Sequence, residues 1–100
     1  MNNGISKLIA ISYLYLTNAI KGRQFVKQID ILVSSDQLSL LPTECREAFD
    51  NLHEDIARCV WDDQTYSEAP DDYIKESTLK MAVKDFISMW GGELARHMWK

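Results

Sequence analysis

Residues 42–63 read PTECREAFDNLHEDIARCVWDD, and the spacing of their apolar side chains decides the fold. At about 100° per residue, Cys45, Ala48, Phe49, Leu52, Ile56, Cys59 and Val60 share one side of a helix, a row that has to be buried against other elements. Glu44, Asp55 and Asp62 then gather on one flank, while Glu47, Asp50 and Glu54 lie on the back, where no apolar residue competes for burial. The stretch runs on into a polar loop, 62–72, broken by Pro70. From Glu44 to Glu76, eleven acids stand against Arg46, Arg58 and Lys75, a net −8 in a chain whose total is −4. A field so lopsided attracts a cationic partner and repels nucleic acid.

Outward from that helix, 100 residues at 46% hydrophobic content supply one core, hence one domain over 1–100. Two prolines and four glycines leave long uninterrupted elements. The expected fold is all-α, an antiparallel four-helix bundle with helices near 4–18, 22–34, 42–61 and 76–90. In the first, Ile5, Leu8, Ile9, Ser12 and Leu16 form the buried stripe with Tyr13 on its flank, and Ile11, Leu14 and Tyr15 widen it until it must pack on more than one neighbour. A short turn bracketed by Asn18 and Gly22 makes the second helix, with Phe25, Val26, Ile29, Leu32 and Val33 inward, an antiparallel neighbour of the first. Leu38, Leu40 and Leu41 tuck a connector under the bundle before Pro42 opens the third helix. The last helix carries Leu79, Ala82, Val83, Phe86, Ile87 and Trp90 in register and is expected to stop at Gly91-Gly92. Beyond it, 93–100 reads either as a frayed extension or as one more turn anchored by Met98 and Trp99.

Lys7 and the apolar run 8–16 have the layout of a signal peptide, but two tyrosines and a serine dilute the run and it is too short to span a membrane. It is read as the first core helix. Cys45 and Cys59, fourteen residues apart on one helix, would stand about 21 Å from each other, too far for a bridge. Both read as reduced core residues, which suits the cytoplasm.

Enzymatic chemistry finds no constellation. Cys45 and His53 would be about 12 Å apart along the axis, too far for nucleophile and base, and His53 reads as a half-buried structural residue. No cysteine and histidine spacing fits zinc, and neither Asp62-Asp63 nor Asp71-Asp72 has the glycine and terminal glutamate of a calcium loop. No catalytic residue, metal or cofactor is therefore expected. Lys21, Arg23 and Lys27 make too small a basic patch for direct binding of nucleic acid.

Three stretches carry a family likeness. They are an apolar first helix running into Tyr15-Leu16-Thr17-Asn18-Ala19-Ile20 with Phe25 five residues on, the run LHEDIARCVWDD at 52–63, and the closing amphipathic helix at 79–86. Over roughly residues 5–90 the chain resembles the colicin D type, or colicin-like, bacterial immunity proteins, which include those of contact-dependent growth inhibition systems. Asp55 and Asp62 fall where family acids are expected; Trp61 departs from the small or turn-forming residue expected there, and the segment after Trp90 is an extension. The resemblance implies a small helical, cytoplasmic inhibitor that binds the nuclease domain of its cognate toxin, the targets including tRNA-cleaving ribonucleases.

A ribonuclease holds phosphates in a cleft lined with cations, and carboxylates fixed on a helix accept those same donors. The expected toxin contacts are Glu54, Asp55, Trp61, Asp62, Asp63, Asp71 and Asp72. Trp61 has two readings: an exposed anchor beside the acids if the helix reaches it, or an indole folded back over the core if the helix ends first. The expected state is a monomer without membrane contact. The competing class is a structural or regulatory bundle that pairs with its own copy through Trp90, Met98 and Trp99.

Overall fold

The computed structural model describes residues 3–39 and 41–97, with the side chains of 4–39 and 41–96. Five helices follow in order: α1 Asn3–Leu16, α2 Gly22–Ser34, α3 Thr43–Arg58, the short α4 Asp63–Glu68, and α5 Glu76–His97. Helix α5 packs on both α1 and α3, and α1 packs on α2 as well. The Tyr15 ring stacks on Phe25 at 4.6 Å while Lys7 Nζ donates to Gln37 Oε1, so the end of α1 meets the start of α2 and the two are antiparallel. Tyr15 also reaches Glu76 at the head of α5, which sets α5 antiparallel to α1. The all-α bundle anticipated from the apolar spacing is thus the fold, four long helices with one short helix in the α3–α5 connection.

The core follows the predicted rows. Ile5 and Leu8 of α1, Phe25, Ile29 and Leu32 of α2, Cys45, Phe49, Leu52 and Ile56 of α3, and Leu79, Val83, Phe86 and Ile87 of α5 are all buried. Leu38 and Leu41 of the connector are buried with them; Leu40 lies outside the described residues. Tyr13 and Leu14 face solvent instead, because Tyr15 takes the buried position between α2 and α5, and Val33, expected inward, is also exposed in the last turn of α2. Among the described residues no helix is long and apolar enough to cross a membrane.

Helices α1 and α2 stop by one device. Asn18 and Asp36 take positive φ, and the next amides, Ala19 N–H to Leu14 O at 2.8 Å and Gln37 N–H to Leu32 O at 3.1 Å, close the last turn. Asparagine and aspartate are the side chains that accept this left-handed position most readily after glycine.

Three boundaries differ from the sequence expectation. Helix α3 ends at Arg58 rather than 61, because Cys59 turns extended and pairs with Ile74, whose N–H reaches the Arg58 carbonyl at 3.0 Å. The loop read as irregular holds α4, capped by Asp62, whose carboxylate accepts from the Thr65 hydroxyl at 2.9 Å. Helix α5 passes straight through Gly91-Gly92, since neither glycine takes the positive φ that would close a helix and Leu94 beyond them is buried. Met98 and Trp99 lie outside the described residues.

Two glycines give opposite expectations. A Cβ on Gly92 meets no atom within 4 Å, so Gly92→Ala should stabilise the chain by about 1 kcal/mol through helix propensity, read as a higher urea midpoint. A Cβ on Gly4 would collide with the backbone of Gln37, so Gly4→Ala should lower that midpoint although alanine is the better helix former.

Candidate functional site

Because α3 buries Cys45, Phe49, Leu52 and Ile56, it must present the opposite arc to water, and Glu44, Glu47, Asp50 and Glu54 are all exposed there. Arg58 lies one turn beyond Glu54, yet its guanidinium is turned to the following loop. Its Nε donates to the Asp72 carbonyl at 3.1 Å and its Nη2 to the Asp71 carbonyl at 3.5 Å. The loop is thereby tied to the end of α3 through backbone oxygens, leaving the Asp71 and Asp72 carboxylates in solvent. Glu54, Asp71 and Asp72 form one surface around Arg58.

The other expected contacts are placed differently. Asp55 is half-buried on the rim of a groove between α3 and α5. Asp62 caps α4, and the Thr65 hydroxyl holds its carboxyl below the usual range, with a smaller pull from Arg23 on α2. Asp63 stands 3.7 Å from Lys75, an exposed pair of little energetic weight. Trp61 is off α3: it is half-buried against Gly22, with the Arg23 guanidinium 6.0 Å from its ring centroid. The folded-back arrangement of the indole is therefore the one adopted, and Trp61 is no exposed anchor on the acidic arc. The acids wrap the C-terminal end of α3 as a band rather than lying on one flat face. Of the eleven between Glu44 and Glu76, one, Asp63, is ion-paired to a lysine or arginine among the described residues.

Glu76, although exposed, is tied to the fold. It accepts a hydrogen bond from the buried Tyr15 hydroxyl at 3.1 Å, and its carboxylate stands where a Cβ on Gly22 would be, at the head of α2. A helix N-terminus carries unpaired amides and a partial positive charge, so this carboxylate balances α2, which has no acid in its own first turn. Burial and Glu76 together push the Tyr15 phenol further above its usual range. Around this junction a cavity of about 650 Å3 opens between Lys21, Arg23, Trp61 and Lys80, the last donating to Asn18 Oδ1. The sequence reading passed over this cluster. Its one signal was Gly22, a residue without a side chain at the head of a helix, which makes room for Trp61 and Glu76.

His53 is half-buried as expected, stacked on Phe49 with Nε2 3.5 Å from Asp30 of α2. Burial pushes the Cys45 thiol up to about 11, and burial with Glu76 does the same for Cys59, so neither supplies a thiolate at neutral pH. Both cysteines are free. Among the described residues no three potential metal ligands cluster. Comparison with protein families, with curated proteins and with solved structures finds no match. The arrangement can hold a basic protein surface by charge and hydrogen bonding.

Tyr15→Phe keeps the stacked ring and deletes the hydroxyl bond to Glu76. It should cost about 1.5 kcal/mol in urea unfolding, with the helical circular-dichroism signal unchanged.

Proposed function

We propose that this chain is an immunity protein of the colicin-like type, a non-enzymatic cytoplasmic inhibitor that neutralises a toxin ribonuclease by covering its basic cleft. What supports the reading is a fixed band of carboxylates around the end of α3 that the protein's own cations leave almost entirely unpaired. Structural acids usually find partners within the molecule, as Glu76 does with Tyr15. The band instead keeps its acceptors toward solvent, and the Arg58 guanidinium beside it is engaged with carbonyl oxygens. A cleft built to grip phosphates presents the lysines and arginines that such acceptors bind, with bidentate arginine pairs the strongest. The surplus negative field speeds the encounter, and inhibition requires only occupancy.

The acids divide into those free to bind and those that also hold the fold. Asp62 caps α4 and Glu76 balances α2, so charge reversal there mixes two effects. Glu54, Asp71 and Asp72 have no such internal role for their carboxylates among the described residues. The decisive experiment is the triple reversal of Glu54, Asp71 and Asp72 to lysine, assayed against the product of the gene immediately upstream, which on this reading is the toxin nuclease. Affinity should fall by about 100-fold or more and its salt dependence should flatten, with helicity intact. Full protection of cells by that variant would remove the acidic band from the function, and a wild-type chain that binds no such nuclease would remove the function itself.

A further inference from the structure

Between α3 and α5 lies a small groove of about 230 Å3 whose floor is Ala48, Leu52, Ala82 and Phe86. The two alanines make it, since larger side chains at those positions would close the helices over one another. Its volume is below the roughly 300–1,000 Å3 of small-molecule sites, so it suits protruding side chains rather than a bound metabolite. Asp55 stands on the α3 rim and Asp85 on the α5 rim, and neither carboxylate is ion-paired among the described residues. Met89, 73% exposed, flanks the groove, a flexible apolar side chain of the kind that adapts to a partner. Trp90 also lines it, its indole N–H enclosed and without an acceptor among the described residues. An apolar floor between two acids that have no ion pair among the described residues is complementary to a surface that is apolar and cationic at once.

We propose that this groove receives a basic amphipathic helix of the toxin, with aliphatic side chains on the Ala48 and Ala82 floor and lysine or arginine heads on Asp55 and Asp85. The assignment rests on the immunity reading for the identity of the partner, and on the groove's own chemistry for the kind of segment it takes. It makes the interface bipartite. The exposed acidic band supplies a salt-sensitive encounter, and the groove supplies buried apolar contact that salt does not screen and that lengthens the life of the complex.

The test uses two synthetic peptides of equal length and charge: an amphipathic helix of leucine and lysine, and a flexible chain of glycine and lysine. Titrated into the intact protein, the leucine peptide should bind about tenfold more tightly and should keep that advantage in high salt. Ala82→Trp, which fills the groove, and the uncharged Met89→Asn, at an exposed position that leaves the fold intact, should each abolish the advantage without touching the shared electrostatic part. Equal binding of the two peptides, or an advantage that survives both substitutions, overturns the proposal. So does a dimer of this chain that both substitutions dissociate in sedimentation, because the groove would then belong to a second copy. In the nuclease complex, the same substitutions should shorten the lifetime more than they slow association, and an unchanged lifetime likewise overturns it. Because the peptide titration needs no nuclease, failure of the groove is seen separately from failure of the wild-type chain to protect.

Discussion

One constraint governs this molecule: a sixteen-residue helix that buries one row of side chains must hold the opposite row in water. In α3 the buried row is Cys45, Phe49, Leu52 and Ile56, and its removal from solvent against α5 and the connector fixes how α3 is rotated. Glu44, Glu47, Asp50 and Glu54 are then exposed by geometry. Turning α3 to hide them would bring the apolar row into water, which costs more than surface charges can return. The backbone that carries the acidic arc is therefore fixed by the core behind it, so the spacing of its acids along α3 is set before any partner docks.

The same end of the bundle shows what happens to carboxylates that do belong to the fold. Glu76 is placed by α5, receives the Tyr15 hydroxyl from α1 and balances the head of α2, so one side chain links three helices. Room for it exists because position 22 has no Cβ, and Trp61 closes over the same gap. Asp62 stabilises a six-residue helix through Thr65. Against these, the carboxylates of Glu54, Asp71 and Asp72 have no internal duty among the described residues, although Arg58 bonds to the Asp71 and Asp72 carbonyls. The distinction between internal and outward acids is a matter of hydrogen-bond partners, and no count of charges along the chain contains it.

Electrostatics and apolar contact then fall on neighbouring surfaces. On the function proposed above, the outward band would act over about a Debye length and set how fast a cationic partner arrives. The α3–α5 groove would act only on contact, where its floor is stripped of water, and set how long that partner stays. Asp55, on the rim of the groove and at the edge of the band, joins the two.

By itself the sequence determined the all-α class, four long helices, nearly every buried position and the acidic surplus of the third helix and its loop. Each of these rests on local periodicity or composition, which survive without knowledge of what lies across the core. It could not determine where helices stop when the reason is a distant residue: Cys59 leaves α3 to pair with Ile74, and Leu94 draws α5 through two glycines that would otherwise end it. Nor could it place Trp61, whose position against Gly22 depends on α3 stopping at Arg58. The tertiary structure alone decided which acids have partners and which face outward, since a carboxylate's partners lie on other helices and only the packing brings them within hydrogen-bond reach.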